Sequence, residues 1–186
     1  MLVILLAGMP GAGKEEFVKV AKEMGYVIIR MGDVVREFVK SLGLELRDSI
    51  VGGIANDERK RHGIDIWAKR TVEKIERMDE KKIVIDGIRC IEEVDVFRKK
   101  FGDNVILVGI FAPRKMRFER ILKRKREDDI SSWEELVKRE MRELSWGLGN
   151  VFALSDYMMV NTSSLEDFRK DVRNFLLALE KEKGDP

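Results

Sequence analysis

The stretch that most constrains this chain is an apolar strand followed at once by a glycine-rich loop and a helix. The strand is Leu2-Val3-Ile4-Leu5-Leu6-Ala7, and the loop is Gly8-Met9-Pro10-Gly11-Ala12-Gly13-Lys14, which fits the spacing G-x-x-x-x-G-K. Glycines let consecutive N–H groups point inward around a phosphate, and the helix adds the positive end of its dipole. Lys14 supplies a mobile charge for the outer phosphates. The sequence therefore predicts a nucleotide-binding loop that extends from Gly8 to Glu16.

The loop departs from its motif directly after the lysine, where Ser or Thr normally places a hydroxyl on Mg²⁺. Here that residue is Glu15. A carboxylate can replace the hydroxyl, because Mg²⁺ binds one or two carboxylates together with phosphate oxygens and water. It also adds a negative charge near the β-phosphate, which must be neutralised or turned away. Two other interpretations stay open: Glu15 and Glu16 stabilise the helix dipole, or Glu15 disables metal-dependent transfer and leaves a binding protein.

Length and composition restrict the class of protein. A chain of 186 residues suits one domain, and a net charge of +2 indicates no dedicated nucleic-acid or membrane partner. Cys90 is the sole cysteine, which excludes an internal disulfide and favours a reducing compartment. The first apolar run is too short to span a membrane and lacks the basic start of a signal peptide, so we expect a cytoplasmic protein. The 38% of charged residues and the lack of glutamine match proteins from very hot habitats.

Five short apolar runs alternate with segments of helical periodicity. The runs predict strands at residues 2–7, 26–29, 82–86, 105–111 and 157–160. Strands of this kind, joined by helices, favour a mostly parallel sheet covered on both faces. The predicted fold is therefore an α/β three-layer sandwich of the P-loop NTPase class, with a five-stranded sheet.

Helix boundaries follow from capping residues. Asp33 is predicted to cap the second helix, and Pro113 is predicted to open a helix that continues through Arg126. Ser131 or Ser132 would cap the next helix, and Ser164 with Asp167 would cap the last one.

Ligands of parallel sheets bind at the carboxyl ends of the strands, so polar residues at those ends are candidates for chemistry. The run Ile83-Val84-Ile85-Asp86 ends in a carboxylate, and in P-loop enzymes such a carboxylate holds Mg²⁺ or its waters. Many strands end in Asp as a turn residue, but the glycine-rich loop upstream favours the functional interpretation. Arg89 can reach the same cleft, although a surface role explains it equally well.

Residues 114–126 hold eight Lys or Arg and a single acid. A solvated helix face or an RNA-binding patch is the alternative. A phosphate clamp is favoured, because phosphoryl transfer needs cations around the transferring group and arginine offers bidentate geometry. The arginines with helical spacing are Arg117, Arg120, Arg124 and, on the next helix, Arg139 and Arg142.

Several segments occur in the order seen in nucleoside monophosphate kinases, of which adenylate kinase is the best-known member. They are the glycine-rich loop, Met31-Gly32-Asp33-Val34-Val35-Arg36, Ile85-Asp86-Gly87-Ile88-Arg89 and Arg126-Glu127-Asp128-Asp129. The segment 155–166 resembles the last strand of dephospho-CoA kinase. Over its whole length the chain resembles an archaeal family of adenylate-kinase-related, dephospho-CoA-kinase-like proteins.

The resemblance implies roles for individual residues. Arg36 and Arg89 would grip the acceptor's phosphate. Gly32 and Asp33 would begin the helix that lines the acceptor pocket, and Asp86 would also contact the acceptor. Residues 33–80 would form a helical, mobile acceptor-binding subdomain, and residues 114–142 a short helical lid. The candidate clamps of the lid are Arg120, Arg124, Arg126 and Arg139. Asn161, Thr162 and Ser163 would pack beside the adenine of ATP.

The resemblance also implies an activity. It is the Mg²⁺-dependent transfer of the γ-phosphoryl group of ATP to a phosphorylated, nucleotide-like small molecule, such as a nucleoside monophosphate or dephospho-CoA. One alternative is an ATPase or GTPase switch, although the chain has no N-K-x-D guanine motif. Another is a nucleotide-binding accessory protein with little turnover, acting in RNA or ribosome assembly. The acceptor stays open, as does the choice between a monomer and a homodimer.

Overall fold

The three inner strands of the central sheet are mostly buried because both of their faces are apolar. The computed structural model describes residues 1–124 and 130–184, with residues 48 and 49 described by backbone alone. Within this part of the chain the strands are β1 (Leu2–Gly8), β2 (Val27–Arg30), β3 (Lys82–Asp86), β4 (Val105–Phe111) and β5 (Tyr157–Val160). They form one sheet in the order β2-β3-β1-β4-β5, and every pairing in it is parallel.

Helices connect successive strands. They are α1 (Lys14–Glu23), α2 (Met31–Ser41), α3 (Asp48–His62), α4 (Ile66–Ile75), α5 (Ile91–Phe101), α6 (Arg114–Arg124), α7 (Trp133–Ser145), α8 (Leu148–Ala153) and α9 (Leu165–Lys183).

Alternating side chains of β1 separate the two layers of the core. Val3 and Leu5 face the layer of α2, α4, α5 and α8, whereas Ile4 and Leu6 face the layer of α1 and α9. Each fully buried side chain of this size contributes about 1.5–3 kcal/mol relative to an exposed one. The predicted three-layer α/β sandwich with a five-stranded sheet is therefore confirmed.

The α6–α7 pair has a small core of its own. Ile121, Ile130 and Leu136 are buried together, and Phe118 packs against them. Phe118 also meets Trp133 edge to face, with 5.3 Å between the ring centroids. This separate cluster lets the pair form a distinct structure above the carboxyl edge of the sheet.

Two of the predicted caps are confirmed. Ser132 accepts a hydrogen bond from the Glu135 N–H, and Ser164 accepts one from the Asp167 N–H. The cap predicted at Asp33 is wrong, because α2 already begins at Met31 and Asp33 lies in its first turn. There the carboxylate accepts from Arg36 at 3.1 Å.

Other boundaries differ in ways that have local causes. The predicted second strand is shifted by one residue and ends at Arg30, which brings this arginine level with Asp86 in the sheet. Helix α8 was not predicted, because six residues after Gly147 are too few for a helical period. The predicted end at Arg126 lies outside the described residues. None of the helices in the described part of the chain is long and apolar enough to cross a membrane.

Candidate nucleotide and acceptor site

The glycine-rich loop turns through two glycines with positive φ. The φ angles are 78° at Gly11 and 111° at Gly13, values that a residue with a Cβ adopts only under strain. Helix α1 begins at the next residue, so its first N–H groups face the loop. Lys14 is partly buried at the end of the loop, where its Nζ donates to the Gly8 carbonyl at 2.5 Å. The arrangement suits an anion that the backbone and Lys14 hold together.

Burial lowers the pKa of Lys14, while the nearby carboxylates of Asp86 and Glu143 raise it. The guanidinium groups of Arg89 and Arg139 lower it further. Lys14 therefore shares one electrostatic environment with residues from β3, from the segment after it and from α7.

The loop is supported from behind by Asn161, which follows the edge strand β5. The buried Asn161 side chain donates from Nδ2 to the Ala12 carbonyl at 2.8 Å. A Cβ added to Gly13 would lie 2.1 Å from that Nδ2 atom, so the contact requires glycine there. Thr162 and Ser163 follow on the exposed surface. The Asn161 side chain thus holds the loop, a role that the sequence did not suggest.

Arg117 fixes helix α6 on the same loop. All three of its side-chain nitrogens have acceptors: the Ala112 carbonyl at 2.9 Å, the Pro10 carbonyl at 3.2 Å and Glu140 at 2.5 Å. The side chain is buried, and a Cβ on Gly11 would meet the Arg117 carbonyl at 2.6 Å. Contrary to the expectation of a clamp, this arginine is held by protein groups.

The other candidate clamps lie at different depths. Arg120 donates from Nη2 to the backbone and side-chain oxygens of Asn161, at 3.2 Å each, which places it beside the loop. Arg139 is close enough to affect the pKa of Lys14. Arg124 is exposed at the last described turn of α6, and Arg126 lies outside the described residues. Arg120 and Arg139 are therefore the predicted clamps that the fold brings near the loop.

Asp86 and Glu15 converge on a third residue, Arg30. The Nη2 atom of Arg30 lies 3.1 Å and 3.0 Å from the two carboxylate oxygens of Glu15. Its Nε atom lies 3.9 Å from Oδ2 of Asp86. Burial raises the pKa of Asp86, and the charges of Lys14 and Arg30 oppose that rise. The carboxylates of Glu15 and Asp86 therefore lie on either side of the Arg30 guanidinium, next to the glycine-rich loop.

These residues fit Mg²⁺. Among the residues that the structure describes, Oδ1 of Asp86 is buried without a hydrogen-bond partner, so this oxygen keeps its capacity to bind a ligand. The described residues contain no group of three or more His, Cys, Asp or Glu placed so that it could hold a metal ion. That is the usual situation for Mg²⁺, which binds through one or two carboxylates together with substrate phosphates. Glu15 and Asp86 would hold the ion, which would neutralise the charge of the phosphates.

A cavity of about 300 Å³ opens beyond the end of β3, where Gly87 and Arg89 line it. Its apolar wall is formed by Met31, Val35, Val51, Ala55 and Trp67. Its polar lining consists of Arg36, Asn56, Arg59, Arg89, Arg142 and the indole of Trp146, while Gly32, Gly52 and Gly87 leave room between them. A cavity of this size and charge suits a small anionic molecule with an apolar body.

Arg89 is held in this cavity from several sides. Its backbone N–H donates to the buried carboxylate of Glu93 at 2.8 Å, and the Nε of its side chain lies 3.6 Å from Glu143. Its guanidinium lies 4.6 Å from the ring centroid of Trp146. These contacts orient the side chain before any ligand arrives.

Two further arginines lie close to the ring of Trp146. Arg59 and Arg142 lie 5.6 Å and 5.5 Å from its ring centroid. The three arginines come from α3, from the segment after β3 and from α7, so no local spacing in the sequence predicted the cluster. Of the residues predicted for the acceptor, Gly32, Arg36 and Arg89 line the cavity, whereas Asp33 is exposed and pairs with Arg36.

Comparisons with known proteins agree with this geometry. A family model described as an AAA domain matches residues 7–137. A UPF0200 protein of Thermoplasma acidophilum is 53% identical over 174 residues, covering 94% of this chain and 94% of that protein.

Two solved kinases share the fold. A gluconokinase of Sinorhizobium meliloti superposes with a TM-score of 0.61 at 17% identity, covering 97% of this chain and 94% of that one. Shikimate kinase of Acinetobacter baumannii, in complex with shikimate, gives a TM-score of 0.57 at 16% identity, with 96% and 94% covered. The chain therefore has a kinase-like P-loop fold.

Proposed function

The chain belongs to the UPF0200 family and to the wider family of AAA domains, and from that premise we propose that it is an ATP-dependent small-molecule kinase. It transfers the γ-phosphoryl group of ATP to a phosphorylated, nucleotide-like acceptor of the nucleoside monophosphate or dephospho-CoA type. Mg²⁺ is the accompanying metal ion. The observation that carries the proposal is the arginine-lined cavity, whose lining includes Gly87, the residue after Asp86.

The donor side is assigned to residues 8–16 and to Lys14 in particular. The loop N–H groups and Lys14 bind the β- and γ-phosphates of ATP, and Arg120 and Arg139 stabilise negative charge on the transferring group. Mg²⁺ held by Glu15 and Asp86 would draw charge from the phosphate oxygens. Asn161, Thr162 and Ser163 are assigned to the adenine side. The buried contact of Asn161 with the loop supports a positioning role for this residue.

The acceptor side is assigned to the cavity. Arg36 and Arg89 grip the acceptor's phosphate, and the fixed orientation of Arg89 between Glu143 and Trp146 supports a bidentate contact. Arg59 and Arg142 add positive charge around the same indole. The apolar wall would contact the uncharged part of the acceptor. The gluconokinase and the shikimate kinase with its bound shikimate support transfer to a small molecule.

Residues 33–80 and 114–142 are assigned to an acceptor-binding subdomain and a lid, which close to exclude water from the reaction. The chain is thus one P-loop kinase-like domain over residues 1–186. Arg117 holds the base of α6 on the loop, so closure would involve the outer part of the lid rather than its attachment point.

One observation favours a second function. Glu15 occupies the place of the hydroxyl that normally binds Mg²⁺, and it is paired with Arg30. This pairing suits an ATPase or a nucleotide-binding accessory protein with little kinase turnover.

Product analysis separates these functions. The purified protein is incubated with Mg·ATP alone and with AMP, dephospho-CoA or a small hydroxy acid, and ADP and inorganic phosphate are measured separately. The kinase proposal expects ADP that depends on a phosphorylated acceptor, without matching phosphate release. Phosphate release that is independent of acceptor supports an ATPase, and tight ATP binding without turnover supports an accessory protein. Mass spectrometry of ligands retained through a gentle purification would identify the acceptor.

A further inference from the structure

Arg30 lies where two predicted metal ligands meet. It is the last residue of β2 and pairs in register with Asp86 at the end of β3. Its guanidinium contacts both carboxylate oxygens of Glu15 at 3.0–3.1 Å and approaches Asp86 at 3.9 Å. One cation of the protein therefore bridges the two carboxylates.

The charges of the pair compensate each other. A P-loop with Ser or Thr after the lysine carries no charge at that position, whereas Glu15 adds one negative charge beside the phosphate site. Arg30 adds one positive charge at contact distance from it. The loop with Glu15 and Arg30 together thus has the same net charge as a loop with a neutral hydroxyl.

The side chains of Arg30, Glu15 and Asp86 differ in how freely they can move. The side chains of Arg30 and Glu15 are 40% and 37% exposed, whereas Asp86 is 15% exposed. Asp86 also keeps a buried oxygen, Oδ1, that has no hydrogen-bond partner in the described part of the chain. Arg30 and Glu15 can therefore rearrange around a carboxylate that stays in place.

We propose that the guanidinium of Arg30 takes the place of a metal ion. It occupies the space between Glu15 and Asp86 until a divalent ion displaces it. The inference rests on the proposed metal-dependent nucleotide site. Divalent-ion binding then becomes an exchange of cations, because the guanidinium must leave Glu15 before that carboxylate can bind the ion. Arg30 is a positioning residue that sets the metal affinity of the site.

Removal of the competing cation should tighten metal binding. Mn²⁺ is the probe, because its free concentration is measured by electron paramagnetic resonance without any turnover. Arg30→Met keeps an unbranched side chain and removes the charge. It should raise the Mn²⁺ affinity of the nucleotide-free protein by about fivefold or more, the lower end of typical coupling between sites. Glu15→Gln, which removes a ligand instead, should lower the Mn²⁺ affinity.

A matched control comes from elsewhere in the fold. Arg98 makes the same kind of two-oxygen contact with Asp156, at 3.0 Å and 3.1 Å, and the two side chains are 39% and 36% exposed. Arg98→Met should leave Mn²⁺ affinity at the wild-type value. A change in Arg98→Met equal to that in Arg30→Met would overturn the inference, since the effect would then be one of general charge.

ATP binding, measured by calorimetry on the same samples, distinguishes a failure of the cation exchange from a failure of the proposed function. Equal or weaker Mn²⁺ binding in Arg30→Met, with ATP binding intact, overturns the cation exchange and leaves the proposed function standing. Absence of both Mn²⁺ and ATP binding in the wild-type protein overturns both.

Discussion

The guanidinium of Arg117 and the carboxylate of Glu140 form a buried ion pair, with 2.5 Å between Nη2 and Oε1. The same guanidinium donates to the Pro10 carbonyl, so the pair joins α6 and α7 to the glycine-rich loop. The loop is thus held by α6 and α7 as well as by the sheet. Its shape depends on residues that are distant from it in the sequence.

Loss of this pair should destabilise the fold. Arg117→Met leaves a buried carboxylate with a weaker set of partners, and breaking a buried pair in this way costs about 3–5 kcal/mol. Arg114 also contacts Glu140, at 2.7 Å, so we expect the lower end of that range. Urea unfolding measures the free energy, and Lys115→Met on the exposed side of α6 is the control. A loss for Arg117→Met no larger than the control's would contradict the structural role.

Asn161 should affect the nucleotide through the loop that it holds. Asn161→Ala removes the bond to the Ala12 carbonyl and leaves a gap beside Gly13, so both stability and ATP affinity should fall. The expected loss of stability is about 1–3 kcal/mol, typical of a buried acceptor left without its donor. Thermal unfolding and calorimetric titration with ATP measure the two effects. Asn150→Ala, at an exposed position of α8, is the control, and equal behaviour of both variants would count against the role.

Lys14→Met should have opposite effects on binding and on stability. The variant loses a charged contact with the phosphates, worth about 1.5–3 kcal/mol, so ATP affinity should fall by about 10–150-fold. Burial lowers the pKa of Lys14, which means that the ligand-free fold disfavours its charge, so the variant should unfold at a higher temperature. Calorimetry with ATP and thermal unfolding without it give both values, with Lys22→Met as the control. Unchanged ATP affinity would mean that the loop is a structural turn and does not bind the phosphates of ATP.

Arg89→Met should act on the acceptor. It removes a bidentate contact of about 1.5–3 kcal/mol, so KM for the acceptor should rise far more than KM for ATP. Steady-state kinetics with each substrate varied in turn makes the comparison, and Arg36→Met should show the same pattern. If both variants instead weaken ATP alone, the division of the cleft into a donor and an acceptor side is wrong.

Glu93 should make stability depend on pH. Burial raises the pKa of this carboxyl above its ordinary value of 4.5, although the Arg89 N–H and the charge of Arg59 oppose the rise. The folded protein therefore holds the proton more tightly than the unfolded chain does. The group's contribution to stability is complete below the unfolded pKa and is lost as the pH rises through the folded pKa.

Glu93→Gln cannot titrate, so its unfolding free energy should increase relative to wild type between about pH 4 and pH 7. Chemical denaturation across that range measures the difference. Glu92→Gln, at the exposed neighbouring position of α5, should show no such trend. A difference that changes in the opposite direction would mean that the fold prefers Glu93 charged, as a partner of Arg59.

The sheet could be predicted from the sequence because its strands are short, apolar and separated by helical periods. The β3 and β4 bounds agree with prediction to the residue, since Lys81 and Gly87 flank the first run and Asn104 and Ala112-Pro113 flank the second. The glycine-rich loop was predictable for another reason: its chemistry requires glycines and a lysine at fixed spacing.

Other parts of the site depend on contacts between distant segments. Arg30 lies beside Asp86 only because β2 pairs with β3, and a one-residue error in the end of β2 hides the relation. The three arginines around Trp146 come from different elements, so no local sequence pattern shows that they meet. Arg117 has the same spacing as the candidate clamps, and only its burial against Glu140 separates it from them.

The most direct test of a kinase with a separate acceptor cavity uses two adjacent glycines of α3. Gly52 lines the cavity and Gly53 does not, and a Cβ at either position meets no atom within 4 Å. Gly52→Leu and Gly53→Leu therefore make the same change to the helix, but only the first fills the cavity. Transfer of labelled γ-phosphate from ATP to the acceptor is measured, together with ATP affinity. If the cavity binds the acceptor, Gly52→Leu loses transfer while keeping wild-type ATP affinity, and Gly53→Leu keeps both. Equal transfer by the two variants, or no acceptor-dependent transfer by the wild-type protein, would contradict a kinase with a separate acceptor cavity.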